Sequence, residues 1–262
     1  MDSLAPLHGF RLDIRTIDLQ AFFDPTVLLV LAIVLVGAWL QGSVGIGLGL
    51  FAAPLLALFA PVFVPGPLLA SVMLLGVLMA LQERRSISRP VIGWALLGRA
   101  PGAVIGAALV SLAATAWLDL TLGTLILICV LLSASRWDLQ PTRRHLIGAG
   151  VLSGITGTAA SVGGPPMALV LQREDGATVR ATLSVYFLIG ITMSLAVLAA
   201  FGRFGREDVA RAALLTPAIL AGFFASRFTR GWIDRGRVQP AILAISGAAS
   251  TWVLVRGLRG LL

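Results

Sequence analysis

The sequence predicts an all-α polytopic membrane protein of about eight hydrophobic segments in two homologous repeats, each opening with a glycine- and proline-broken or re-entrant helix. Three observations lead there. Of 262 residues, 58% are hydrophobic and 12% charged, where a soluble domain carries about 25% charged residues. Apolar runs recur along the whole chain, and at about 20 residues per crossing there is room for roughly eight with short loops and no soluble domain besides. Finally, a shift of 112 residues superposes one glycine- and proline-rich segment on another, the mark of duplicated architecture.

Residues 1–25 are mixed and polar, with Asp2, Asp13, Asp18 and Asp24 set against Arg11 and Arg15. No basic start precedes a short apolar stretch, so a cleaved signal peptide is not expected. The apolar run Thr26 to Ala60 spans 35 residues, too long for one crossing, and is interrupted by Gly42, Gly45, Gly47, Gly49 and Pro54. It reads as broken or re-entrant. The spans Leu68 to Leu81, Pro90 to Leu112 and Leu118 to Ser135 complete a first repeat, 26–135, and a basic linker, 136–145, follows. The run Leu146 to Leu171, again cut by glycine and proline, opens the second repeat, 146–257, which continues through Ala181 to Ala200, Val209 to Phe228 and Val238 to Val255.

The net charge of +8 comes from arginine, since the chain has no lysine, and nineteen of its twenty arginines fall in or beside predicted loops. That pattern sets membrane topology and gives no reason to expect a nucleic-acid partner. The loops holding Arg84, Arg85 and Arg89, and Arg136, Arg143 and Arg144, bracket two spans, while Ala113 to Trp117 between those spans is uncharged. Both basic loops are therefore placed in the cytoplasm of a multi-pass inner (plasma) membrane protein. Cys129, the only cysteine, sits in an apolar run as core filler, and His8 and His145 lie in polar flanks. No disulfide, metal site, cofactor or catalytic set is expected.

The 112-residue shift puts Gly42 on Gly154, Gly45 on Gly157 and Pro54 on Pro166; with a few inserted residues Pro101 and Gly106 fall on Pro217 and Gly222, and Trp117-Leu118-Asp119 on Trp232-Ile233-Asp234. Arginine counting favours parallel halves if every run crosses once. Hairpins at both glycine-rich runs would invert them, and the length of the first run favours hairpins. Duplicated secondary transporters hold substrate near the midplane with discontinuous helices at the repeat interface.

The candidate site residues come from these two segments. The first offers Gln41, Gly42, Ser43, Gly45, Gly47 and Gly49; the second Ser153, Gly154, Thr156, Gly157, Thr158, Ser161, Gly163 and Gly164, followed by Pro165 and Pro166. Non-helical backbone is tolerated at membrane depth where it is buried in protein or lines a polar cavity. Prolines favour a first helical turn, so Pro165 and Pro166 are expected to open a half-helix whose free amides attract an anion, with the hydroxyls and Gln41 as neutral donors. The competing reading is close helix packing through small residues. The two are compatible.

Arg99 lies about 13 Å into its span, the one arginine so placed. An intramembrane charge normally faces the bundle interior and marks an ion path, and arginine can bind an oxyanion through two N–H groups. The alternative is packing against carbonyls or snorkelling, with Pro101 shifting the helix boundary. Its repeat counterpart is Leu215. Glu83, Glu174 and Glu207 fall in loops, and Asp119 and Asp234 at span starts, where they suit helix capping. With no carboxylate at mid-membrane, a proton relay or cation site is disfavoured and a small anionic substrate fits.

Across residues 26–255, Gly42, Gly45, Gly47, Gly49 and Pro54 with Gly154, Gly157 and Pro166 resemble the duplicated glycine-rich, proline-ended segments of the TauE/SafE family of membrane permeases. The chain departs from that pattern at Ala159-Ala160-Ser161, where the family commonly has consecutive glycines, and Gly163-Gly164-Pro165-Pro166 is displaced after it. The resemblance implies a plasma-membrane transporter, an exporter among the options, for sulfite, sulfonates or related sulfur oxyanions. A proton or ion gradient is compatible with this as driving force, and the apolar faces with a homodimer or with bilayer lipid. An anion channel and a non-transporting membrane partner of a sulfur-metabolising complex stay open as alternatives.

Overall fold

The computed structural model describes residues 24–44, 48–82, 87–135, 137, 139–229 and 235–261. Gly45, Gly47, His8, Arg84, Arg85, Arg136 and the repeat element Trp232-Ile233-Asp234 lie outside them. The described residues form ten α-helices and no strand: α1 (Pro25–Val44), α2 (Ala53–Phe59), α3 (Gly66–Gln82), α4 (Arg89–Leu112), α5 (Thr115–Ala134), α6 (Arg143–Ala160), α7 (Gly164–Val170), α8 (Gly176–Ala200), α9 (Arg206–Thr229) and α10 (Arg235–Arg259). A π-helical turn, Leu48–Ala52, leads into α2. In lipid every backbone amide must be satisfied within the chain, which is why the apolar runs become helices. Six helices, α1, α4, α5, α8, α9 and α10, are long and apolar enough to cross a bilayer.

Several helices begin before their apolar runs. Thr142 caps α6, its hydroxyl accepting the His145 N–H at 3.3 Å, so α6 starts inside the expected 136–145 linker. Asp24 caps α1 in the same manner, accepting the Thr26 N–H at 2.7 Å. That backbone hydrogen bond, helped by the Thr26 hydroxyl, holds the Asp24 carboxyl below its ordinary pKa. Asp119 takes a role other than the expected cap: both its oxygens accept from Arg256 of α10, at 2.7 and 2.8 Å. Arg256 also donates to the carbonyls of Ala57 and Leu58 at the end of α2, tying α2, α5 and α10 together.

Both glycine-rich runs reverse direction. Past α1, the Leu48 N–H reaches back to the Gln41 side chain at 3.2 Å, and Gly37, farther back along α1, faces Leu48 and Ala52. Past α6, Ser161 adopts the left-handed conformation (φ 61°), and Gly163 returns to Ser153, whose hydroxyl donates to its carbonyl at 2.6 Å. Gln172 beyond α7 then donates to the carbonyl of Trp137 ahead of α6, closing a hairpin. The two reversals meet where Gly49 lies against the Ser161 carbonyl, leaving no room for a side chain.

Helix pairing follows glycine. α4 and α6 run parallel with backbones in contact, Gly98 and Gly102 on Ile147 and Val151, Gly150 and Gly154 on Ala95 and Arg99. α1 and α9 also run parallel, Gly222 against Leu35 and Ala38, Gly42 against Ser226. α5 and α10 run antiparallel through Gly123 on Leu254 and Gly257 on Leu120. α3 and α8 are antiparallel too, Gly66 near Phe204 and Met73 near Thr192.

In α4 and α6 the seam can be separated from glycine content as such. A Cβ on Gly102 would enter the Val151 backbone, whereas one on Gly93 or Gly148 meets nothing within 4 Å. Gly102→Val is expected to cost about 1–3 kcal/mol or more and to lower the melting temperature of the detergent-purified protein. Gly93→Ala and Gly148→Ala are expected to be neutral or to stabilise by up to about 1 kcal/mol.

Candidate anion-binding site

Arg99 is 1% exposed and, among the described residues, is the one charged side chain that is fully buried. α4 continues unbroken through Pro101, so the arginine stays in mid-helix and does not snorkel to a boundary. Among the described residues its five N–H donors find only neutral acceptors. Nη1 reaches the Ser153 hydroxyl at 2.8 Å, the Tyr186 hydroxyl at 3.4 Å and the Ser153 carbonyl at 3.5 Å. Nη2 reaches the Ser194 hydroxyl at 3.4 Å, and Nε has no partner. The Tyr186 ring lies under the guanidinium, 5.2 Å from Cζ to centroid, an attraction that offsets part of the cost of burial.

The hydroxyls around it are oriented from behind. Ser153 spends its proton on the Gly163 carbonyl and Ser194 on the Gly190 carbonyl at 3.0 Å. Each therefore turns lone pairs towards Arg99. Thr158 donates to the Ser194 hydroxyl at 2.8 Å and fixes it further. Gly190 provides the space, because a Cβ there would collide with the Arg99 stem and Nε.

A cavity of about 390 Å³ reaches this arginine and is lined also by Gln41, Gly49, Gly157, Ser161, Gly163 and Gly164. Seven of the sequence-predicted site residues, Arg99 included, thus share one wall. Its mouth lies at Gln172, Glu174 and Arg180, with Ser133, Ser135 and Gln239 nearby, on the face where α5 ends and α6 and α8 begin. Ser153 and Thr158 stand behind the wall as supports of Arg99. The others are placed elsewhere: Gly42 packs on Ser226 and Gly154 on the α4 backbone, Ser43 lies 3.5 Å from Thr229, and Thr156 bonds its own helix at Leu152. Gly45 and Gly47 fall outside the described residues.

α7, opened by Pro165 and Pro166 as expected, has seven residues. A helix that short carries little macrodipole, and Arg99 is the one fully buried charge on the cavity among the described residues. Sequence reasoning missed Tyr186, Gly190 and Ser194. The signal was their four-residue spacing, which sets the chain's only tyrosine, a glycine and a serine on one face of α8.

Matching carbonyl contacts brace the two reversals. Ser246 of α10 donates to the Leu50 carbonyl at 2.7 Å, and Cys129 of α5 to the Val162 carbonyl at 3.4 Å. The Leu215 side chain, counterpart of Arg99, is buried in the apolar core.

A family model described as Sulfite exporter TauE/SafE matches residues 29–253. No curated protein and no solved structure matches the chain.

Gly190→Ala tests the placement of the arginine without touching its charge. The added methyl occupies the position of the guanidinium stem and pushes it off its hydroxyl partners. The variant is expected to remain monodisperse in detergent while losing anion affinity by about tenfold, equivalent to one charge-assisted hydrogen bond, measured by calorimetric titration.

Proposed function

The chain belongs to the sulfite exporter TauE/SafE family, and on that premise we propose that it is a secondary transporter of the inner membrane. It carries a small anion, sulfite, a sulfonate or a related sulfur oxyanion, past Arg99. The observation that carries this reading is a permanent cation, fully buried, facing a cavity, and unmatched by any carboxylate among the described residues. Burying an unpaired charge costs several kcal/mol. An oxyanion arriving in the cavity supplies the missing counter-charge and good acceptors for underused N–H donors.

The transport cycle we infer uses two inverted repeats, 26–135 and 146–257, with α3 and α6 crossing in addition to the six longer helices. Pairing supports this. α1 packs on α9 as α6 packs on α4, α2 on α10 as α7 on α5, and α3 on α9 as α8 on α4. The counterparts α5 and α10, and α3 and α8, pair antiparallel, the relation expected when one half is inverted. Gly49 and Ser161, 112 residues apart, touch each other, as positions beside a two-fold axis would. Rocking of one half on the other about this contact would open the site alternately to each side.

The mouth lies on the face of the arginine-rich loops, which we place in the cytoplasm; this orientation is that of an exporter ready to load. We favour a carrier over a channel, since the two hairpin tips meet at Gly49 and Ser161 within the cavity wall.

The test is flux of sulfite into proteoliposomes, with sulfate and a sulfonate as competitors. Saturable flux is expected from the wild type, reduced at least about tenfold in Arg99→Leu, the loss that follows from removing a charged hydrogen-bonding anchor. Undiminished flux in a well-folded Arg99→Leu variant would remove the arginine from the mechanism.

A further inference from the structure

We propose that Arg256 and Asp119 form a latch on the face opposite the mouth, holding the far end of α2 in place here and releasing it when the path opens on that side. This rests on the reading of the chain as a carrier that opens to alternate faces. Asp119 stands about 22 Å along α5 from Ala134, where that helix ends beside the mouth.

The guanidinium is engaged on all three nitrogens. Nε and Nη2 donate to the two Asp119 oxygens at 2.7 and 2.8 Å, a two-pronged pairing that fixes its plane. Nη1 and Nη2 then reach the carbonyls of Leu58 and Ala57 at 3.1 and 2.9 Å. α5 and α10 do not need this pair to stay together, because their backbones already touch through Gly257 on Ala116 and Leu120 and through Gly123 on Leu254. What Arg256 adds is the hold on α2.

Two features let that end come free. The Ala57 and Leu58 carbonyls belong to the last turn of α2, where a helix has no partner of its own for them, and Pro61, four residues past Ala57, has no N–H to offer. Water satisfies both carbonyls once Arg256 lets go. The other end of the limb is tethered separately, Ser246 of α10 donating to the Leu50 carbonyl at 2.7 Å within the π-helical turn Leu48–Ala52. α2 therefore has a pivot at the hairpin tip and a releasable end at the face.

The strength of the pair suits a latch. The Arg256 side chain is 37% exposed and that of Asp119 15%, so the pair is better shielded than a surface ion pair, which is worth little. Yet it lies one turn from the start of α5 and the end of α10, where it separates into water and strands no charge in the interior. At the mouth, the end of α7, repeat counterpart of the end of α2, meets the chain ahead of α6 through the neutral Gln172–Trp137 hydrogen bond. The face held by the ion pair is the closed one.

Cysteine accessibility in the purified full chain, with Cys129→Ser as background, tests this without any ligand. Ala57→Cys, at a buried position on the latched turn, is expected to react slowly with a water-soluble maleimide. Asp119→Asn, which removes the charge-assisted bonds, is expected to speed that reaction at least about tenfold. Arg256→Lys keeps the charge but lacks the fork that reaches Asp119 and two carbonyls together, and is expected to raise the rate as well. Leu183→Cys, on the wall of the mouth cavity, is expected to react no faster in either variant, since opening one face closes the other. An unchanged rate at Ala57→Cys in both variants would overturn the latch, as would rates that climb together at both reporters, the mark of general loosening. Failure of the Arg99 anchor shows separately, as absent anion binding in calorimetric titration, so the two are told apart.

Discussion

An arginine buried in a membrane bundle with no carboxylate partner among the described residues constrains everything near it. Its cost is met in pieces. Three hydroxyls present lone pairs, a tyrosine ring presents its negative face, and Gly157, Gly163 and Gly190 keep side chains out of the space the guanidinium needs. None of these partners is charged, so the electrostatic imbalance remains for something else to correct. In the carrier reading proposed above, that imbalance is what favours a negatively charged occupant before any shape recognition begins.

Close backbone approach is the second constraint. Lipid offers helices no hydrophobic reason to associate, and α4 and α6 hold together by dispersion between surfaces stripped to glycine. The same seam places Ser153 opposite Arg99. Packing and the candidate site are therefore coupled: Gly42 and Gly154, both among the candidate residues, lie at helix–helix contacts, on α9 and α4.

The two halves differ in what they do with the same geometry. Each reversal is braced by a donor from α5 or α10 to a carbonyl, through Cys129 and Ser246. Around Leu215 the space is filled by apolar side chains, whereas Arg99 reaches a cavity lined from both repeats. On the other face of the molecule the Arg256–Asp119 pair holds the end of α2. The two faces are thus built differently, one tied by an ion pair and carbonyl bonds, the other open at the cavity.

Much of this was legible in residues alone. Hydropathy marked the long helices, and glycine with proline marked both reversals, because lipid leaves a hydrophobic chain few choices other than helix and the breakers stand out against it. Arg99 was evident because a charge inside a long apolar run is costly and stands out, whether it marks an ion site or packs and snorkels. Helix starts were misplaced towards the membrane interior, as at α6, where the Thr142 cap lets the helix take in Arg143, Arg144 and His145, which hydropathy reads as loop. Asp119, which suited a cap locally, pairs instead with Arg256, 137 residues away. Sequence determined the six long apolar helices, where the glycine-rich runs break and where the charge lies, all consequences of local composition in an apolar solvent. Tertiary structure alone decided which hydroxyls orient the guanidinium, which glycines line the cavity and which join helices, because those depend on the faces that distant helices turn towards one another.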